Sequence, residues 1–301
     1  TCLLWVLPCE SHNQKQRANP YQQRNISSYQ GVPKLKKHPL WKYLRDGSLP
    51  HFFCSGCGVA QILNFFLKAA DEISLDFDKL VGIGGVGCTA RIPVYMKADV
   101  LHGVHGRTLP WATGIKLHKP DLKVVIFAGD GDAAAIGGNH LIHAARRNLD
   151  VTMIVANNLT FGMTGGQMAP TTPPTVKTAT TPYGNQETPF DLCKLAVTSG
   201  ATFVARWTTH KPKRAIQSIK KALLHEGFSF VEIVCQCPTN FGRRALSTDD
   251  AVECLEWIKE NSATIRQAAE MSPETLVNKF VLGEFVDVNR PVFAGSSVLN
   301  K

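Results

Sequence analysis

Lys123 to Gln167 reads KVVIFAGDGDAAAIGGNHLIHAARRNLDVTMIVANNLTFGMTGGQ. An apolar run, Val124 to Ala128, ends in Gly129-Asp130-Gly131-Asp132, and a helical stretch follows to about Arg147. A second apolar run, Val151 to Ala156, ends in Asn157-Asn158. This order predicts a βαβ unit with oxygen donors at the carboxyl end of both strands. Ligands of an open parallel sheet bind at that edge, where small residues let backbone N–H groups approach a phosphate. A phosphate cradle alone has no use for Asp130, because a carboxylate beside a diphosphate repels it unless a cation lies between. Asp130 and Asn158 offer oxygens to Mg²⁺, which takes a few protein oxygens plus phosphate and water. Gly129 and Gly131 let the backbone close in. The plainer alternative is an ordinary Rossmann-like unit with an aspartate in its turn, and a lone Gly-rich turn does not decide between them.

Outward from this stretch the pattern repeats. On the N-terminal side, Cys54-Ser55-Gly56-Cys57 precedes a helix with Val59, Ile62, Leu63, Phe66, Leu67 and Ala70 near helical spacing. Leu80 to Ile83 reads as a strand running into Gly84-Gly85-Val86-Gly87-Cys88, and His105-Gly106-Arg107 precedes the helical PWATGIKLHK. On the C-terminal side, Leu159 to Glu187 lacks periodicity. A loop that long in a compact domain is usually functional, and its place after a strand end suggests that it covers a cofactor. Then come a helix over Phe190 to Val197, a strand over Thr202 to Arg206, an amphipathic helix over about Lys211 to His225, and a strand over Ser229 to Cys235 running into Gln236-Cys237-Pro238. The alternation predicts an α/β fold with right-handed crossovers. Residues 1–35 read as a polar, disordered tail holding Cys2 and Cys9. Residues 36–246 form the main domain. Residues 247–301 form a C-terminal helical extension packed on it, with an extended tail.

Nine cysteines among 301 residues are too few for a disulfide scaffold and favour metal or cluster ligation. Cys54, Cys57, Cys88 and Cys237 each sit beside an element terminus. Four thiolates suit one 4Fe–4S cluster or a structural zinc; the CxxC alone also fits a redox disulfide, and Cys88 and Cys237 also fit buried small hydrophobes. The net charge of +9 suits acidic partners. No stretch carries the basic and aromatic stripe of a nucleic-acid binder, and no apolar run approaches the ~20 residues that span a membrane. TCLLWVLPCE has no basic segment before its apolar run, so a signal peptide is not expected and the expected location is cytoplasmic.

GDG followed by NN is the thiamine diphosphate (ThDP) fingerprint. The longer string GDGDAAAIGGNHLIHAARRNLD…NN…FGMTGGQ resembles the β subunits of archaeal-type 2-oxoacid:ferredoxin oxidoreductases, most of all the 2-oxoglutarate branch, from about Lys36 to Pro291. FCSGCG (Phe53 to Gly58), GCTAR (Gly87 to Arg91) and QCPTNFGRR (Gln236 to Arg244) match the family's three cysteine elements, with Ser55 in place of the usual Pro and Thr89-Ala90 in place of a Ser pair. The resemblance implies a ThDP-binding fold, mainly a parallel sheet with helices on both faces. It implies one 4Fe–4S cluster on Cys54, Cys57, Cys88 and Cys237, with Cys193, Cys235 and Cys254 as ordinary thiols. It implies Mg²⁺ on Asp130, Asn158 and the Thr160 carbonyl. Gly56, Gly87, Gly106, Gly162 and Thr164 fall in the same cofactor-binding elements, and Asp132 is either a further site residue or a helix cap. His105 and Arg107 match an HGR element beside the cofactor, Arg91 a base that meets the substrate carboxylate, and Met163 a substrate side-chain contact. No Glu lies in the matched motifs; in the family the activating Glu comes from the α subunit, so the resemblance implies that partner, further γ and δ subunits in some enzymes, and ferredoxin. The implied reaction is CoA-dependent oxidative decarboxylation of 2-oxoglutarate to succinyl-CoA, or the reverse. Pyruvate or branched-chain substrates, a non-redox ThDP lyase, and a zinc-stabilised nucleotide-binding module are the competing readings.

Overall fold

The computed structural model describes residues 38–293 apart from 278. Contacts divide the chain into Thr1–Pro39 and Leu40–Lys301, and the second unit is the fold described here. Residues 1–35 with Cys2 and Cys9, and the end of the C-terminal tail, lie outside the described residues.

The strands are β1 (Leu80–Gly84), β2 (Asp99–His102), β3 (Lys123–Gly129), β4 (Val151–Asn157), β5 (Thr160–Phe161), β6 (Gln167–Met168), β7 (Phe203–Thr208), β8 (Phe228–Val234), β9 (Ser262–Thr264) and β10 (Phe280–Asp287). Eight of them form one sheet in the order β2-β1-β3-β4-β8-β7-β10-β9, parallel except for β10 against β7. The main helices are α1 (Gly58–Glu72), α2 (Thr108–His118), α3 (Asp130–Ala134), α4 (Gly138–Arg146), α5 (Leu192–Thr198), α6 (Pro212–Leu224) and α7 (Ala251–Glu260), followed by the single turns α8 (Ile265–Ala268) and α9 (Pro273–Leu276). This is the mainly parallel α/β fold that the sequence predicts.

Both faces of the sheet are covered, which is why β3 and β4 read as continuous apolar runs rather than alternating ones. On one face α1 and α6 bring Ile62, Phe66, Ile219 and Leu223 onto Val125, Phe127, Ile154 and Val231. Phe66 and Phe127 meet edge to face with centroids 5.1 Å apart. On the other face α2, α4 and α5 bring Leu109, Leu141 and Leu192 onto Val124, Ile126 and Val155. Register then sets the site: Gly84 lies beside Phe127, Gly129 beside Ala156, and Asn157 beside Val234. The carboxyl ends of β1, β3, β4 and β8 therefore form one edge.

Three local features differ from the sequence reading. The helix expected up to Arg147 is broken after Ala134, because Gly137 passes so close to Asp132 that a Cβ there would lie 2.2 Å from its carbonyl oxygen. The loop from Leu159 to Glu187 contains the β5–β6 hairpin and a ladder of threonine hydrogen bonds, among them Thr172 Oγ1 donating to the Leu159 carbonyl at 2.7 Å. The segment from 247 holds helices and also β9 and β10; β10 joins the central sheet with a bulge between Glu284 and Val286.

Candidate cofactor and substrate site

Asp130 opens α3 directly after β3, and Asn158 follows β4 on the neighbouring strand. Asp130 is 2% exposed, and burial pushes its carboxyl up to about 7. Its partners are the Thr171 hydroxyl at 2.5 Å and the Gly131 N–H at 2.9 Å, both of which favour the charged form. A carboxylate so buried, with one donor on each oxygen and no cationic side chain among the described residues paired with it, fits a cation. Asn158 and Thr160 are buried beside it. A Cβ on Gly131 would lie 2.1 Å from the Phe161 ring, so a larger residue there has to displace that ring.

Asp132 does not cap a helix with its side chain. Its Oδ1 accepts the Gly106 N–H at 2.6 Å and lies 2.7 Å from His105 Nδ1. The other oxygen is buried without a hydrogen-bond partner. Burial raises the Asp132 carboxyl, against the pull of Gly106 and His105. Asp132 thus pins the His105-Gly106-Arg107 turn to the GDG turn, and Arg107 adds a bond to the Ile136 carbonyl at 3.2 Å.

The cysteine elements gather behind this edge. Cys57 caps α1, Cys88 precedes the 3₁₀ turn Thr89–Arg91, and Cys237 leads into the π-helical turn Pro238–Leu246. Burial, with the neighbouring sulfurs of Cys54 and Cys237 adding to it, pushes the Cys57 thiol up to about 12 and the Cys88 thiol up to about 11. Cys237 is also raised by burial, while the Phe241 and Asn240 N–H groups pull it back. A Cβ on Gly162 would lie 3.7 Å from the Cys237 sulfur and 3.9 Å from that of Cys88. Among the described residues no group of three or more Cys, His, Asp or Glu stands close enough to hold a metal ion. Four thiols are the donor set that one 4Fe–4S cluster takes. Cys54 is exposed; Cys57 and Cys237 are buried. Cys193 and Cys254 are buried thiols elsewhere, and Cys235 lies in the core below α1.

Arg91 and Met163, far apart in sequence, line one pocket of about 220 Å³ with Phe52, Val94 and Tyr95. One guanidinium in an apolar, aromatic wall is what a small carboxylate needs. Thr164 is exposed beside Met163 and its hydroxyl binds Gln167 at 2.6 Å. Gly56 and Gly87 lie in the cysteine loops with φ of +71° and +107°.

The profile of the thiamine pyrophosphate enzyme C-terminal TPP binding domain matches residues 85–233. The 2-oxoglutarate synthase subunit KorB of Methanocaldococcus jannaschii is 50% identical over 256 residues, which cover 85% of this chain and 94% of the relative. That of Methanothermobacter marburgensis is 51% identical, over 85% and 90%. The chain belongs to the KorB family of 2-oxoglutarate:ferredoxin oxidoreductase β subunits. It is therefore an oxidoreductase subunit, and the relatives' names imply further subunits. A solved 2-oxoglutarate:ferredoxin oxidoreductase from Magnetococcus marinus, with 2-oxoglutarate, coenzyme A and succinyl-CoA bound, superposes with a TM-score of 0.76 at 32% identity, over 89% of this chain and 90% of that one. No helix among the described residues is long and apolar enough to cross a membrane.

Within this KorB-family chain, sequence reading misses several residues that hold the site together. Gln236 accepts the Gly58 N–H with its carbonyl at 3.0 Å and donates its side-chain amide to the Gly56 carbonyl at 3.1 Å, clamping two cysteine elements. Asn240 donates to the Gly162 carbonyl at 2.7 Å and Arg244 to the Gly165 carbonyl at 3.1 Å, tying the FGMTGG loop to the Cys237 turn. Thr171, Phe161, Phe52 and Tyr95 also escape notice. The one available signal is the FGRR string, whose second arginine is Arg244.

Proposed function

We propose that this chain is the ThDP-binding β subunit of a 2-oxoglutarate:ferredoxin oxidoreductase, converting 2-oxoglutarate and CoA to succinyl-CoA and CO₂ while two electrons pass to ferredoxin. The observation that supports this reading most is that Asp130 and Asn158 follow neighbouring strands, that Asn158, Cys88 and Cys237 all approach Gly162, and that Arg91 and Met163 line one pocket. The relatives' names and the ligands of the Magnetococcus marinus structure support the substrate and CoA.

When bound, ThDP supplies the carbanion and electron sink for decarboxylation, and a 4Fe–4S cluster supplies one-electron transfer. The residues do the rest. Asp130, Asn158 and the Thr160 carbonyl would hold Mg²⁺, which would neutralise the diphosphate. Gly129, Gly131 and Gly162 keep the backbone close to it. His105, held by Asp132, and Arg107 would stand beside the diphosphate, where the imidazole can offer a hydrogen bond. Arg91 takes the carboxylate of the 2-oxo acid and Met163 packs against its side chain, while the aromatic wall of Phe52 and Tyr95 excludes water. Cys54, Cys57, Cys88 and Cys237 ligate the cluster. Glu232 lies on β8 behind Asn157 and is committed to Arg206 and Asn157, which supports assigning the activating glutamate to an α subunit. Gamma and delta subunits complete some enzymes of this kind, and the site is cytoplasmic, needing neither nucleic acid nor membrane.

The test is anaerobic co-purification with the α subunit, followed by an assay of 2-oxoglutarate, pyruvate and branched-chain 2-oxo acids with CoA and a low-potential acceptor. CoA-dependent reduction with 2-oxoglutarate preferred is the expected result. Protein with no iron and no broad absorbance near ~400 nm would sink the redox reading.

A further inference from the structure

Behind the Asn157-Asn158 corner lies a buried ionic group that the chemistry above does not use. Glu232 is 1% exposed in the middle of β8, and Arg206 is 5% exposed on β7. Arg206 Nε donates to Glu232 Oε2 at 2.7 Å, and its other end is held by Asp191. The Cys193 thiol donates to the same Glu232 oxygen at 3.2 Å. The remaining oxygen, Oε1, accepts Asn157 Nδ2–H at 2.7 Å. Asn157 Oδ1 in turn accepts the Leu159 N–H at 3.1 Å, and Leu159 sits in the left-handed region with φ +63°. A non-glycine residue holds that conformation only where its surroundings enforce it.

A buried ion pair is weak grounds for stability, since apolar replacements are often as stable. This one has another use. Every group that touches Glu232 is a donor: a guanidinium N–H, a thiol and an amide N–H. Only an acceptor-only side chain satisfies all three, and that is an ionised carboxylate. Because Glu232 can only accept, the Asn157 amide is forced to present Nδ2 to it and Oδ1 to Leu159. The amide's orientation, and with it the bend that follows β4, is set by the charge behind it.

We infer that Glu232, clamped by Arg206, is a positioning residue that fixes the amide orientation of Asn157 and through it the corner bearing Asn158 and Thr160. This rests on the reading of Asn158 and Thr160 as Mg²⁺ ligands. With Glu232→Gln, the new amide can satisfy Arg206 or Asn157 but not both. If it turns its N–H to Asn157, the Asn157 amide flips and presents a donor to the Leu159 N–H. The pattern is restored by moving the acceptor one residue along. With Asn157→Asp added to Glu232→Gln, the glutamine oxygen accepts from Arg206, its N–H donates to the new carboxylate, and that carboxylate accepts from Leu159. Asn157→Asp alone places two carboxylates face to face in the core.

The experiment titrates ThDP, with and without Mg²⁺, into the cofactor-free complex with its α subunit, and records thermal midpoint and iron content. Glu232→Gln is expected to weaken Mg²⁺-dependent ThDP binding about tenfold, the value of one lost hydrogen bond, with iron unchanged. Asn157→Asp is expected to be at least as damaged. The double variant is expected to return to within about threefold of the parent, a strongly non-additive cycle. Parental affinity in Glu232→Gln, or a double variant no better than Glu232→Gln, overturns the inference. Should Glu232→Gln fail to fold, the double variant decides: folded with near-parental affinity supports the inference, equally unfolded overturns it. A parent complex that binds ThDP without needing Mg²⁺ overturns the ligand reading itself, which is how the two failures are told apart.

Discussion

Asp130→Asn should stabilise the cofactor-free chain while removing its response to Mg²⁺ and ThDP. Burial pushes the Asp130 carboxyl up to about 7, whereas an unfolded chain holds it near ~3.9. The folded form therefore binds the proton more tightly, and stability falls as pH rises between those values. About three units at ~1.36 kcal/mol each make the full cost about 4 kcal/mol above pH 7, about 1.5 kcal/mol at pH 5, and nothing below ~pH 4. Asparagine keeps the bonds: its oxygen accepts the Gly131 N–H, and its amide donates to Thr171, whose hydroxyl then accepts. For a domain this size each kcal/mol moves the midpoint by about 2–4 °C. The assay is thermal unfolding of cofactor-free protein at pH 8 and pH 5, with and without Mg²⁺ and ThDP. A gain of several degrees at pH 8, smaller at pH 5, is expected, with no further shift on adding the ligands. An Asp130→Asn variant less stable than the parent at pH 8, or one still stabilised by Mg²⁺ and ThDP, would refute the reasoning.

Other substitutions probe the rest of the edge. Gly131→Ala puts a Cβ 2.1 Å from the Phe161 ring, so it should cost about 1–3 kcal/mol by overpacking in urea unfolding and abolish the ThDP thermal shift. Arg91→Ala should raise KM for 2-oxoglutarate by about 10–100-fold, the loss of a charged hydrogen-bonded contact, with KM for CoA unchanged in the steady-state assay. Cys88→Ala and Cys237→Ala should lose iron and visible absorbance under anaerobic purification, while Cys193→Ala and Cys254→Ala keep both.

Much of the edge is legible in the sequence because its residues mark local events. Asp130, Asn158, Cys57, Cys88 and Cys237 each stand where an apolar run or a helix begins or ends, and register brings those ends together. What supports them leaves no such mark. Thr171 meets Asp130 across 41 residues and Gln236 meets Gly56 across 180; neither contact produces a periodicity or a turn signal. Glu232 looks like a misplaced charge in FSFVEIV until Arg206 is found on the neighbouring strand. The break at Gly137 depends on a close approach to Asp132, and the strand β10 depends on β7 offering an open edge, so both are decided by packing rather than propensity.

Gly162 takes on a wider meaning in this light. Its missing side chain faces the Asn158 amide and the sulfurs of Cys88 and Cys237 together, and its carbonyl is held by Asn240 from the Cys237 turn. In the proposed site the carbon end and the sulfur end therefore meet across the volume of one absent side chain. An alanine methyl would make ordinary contacts with all three groups, whereas a larger side chain would press on both ends at once.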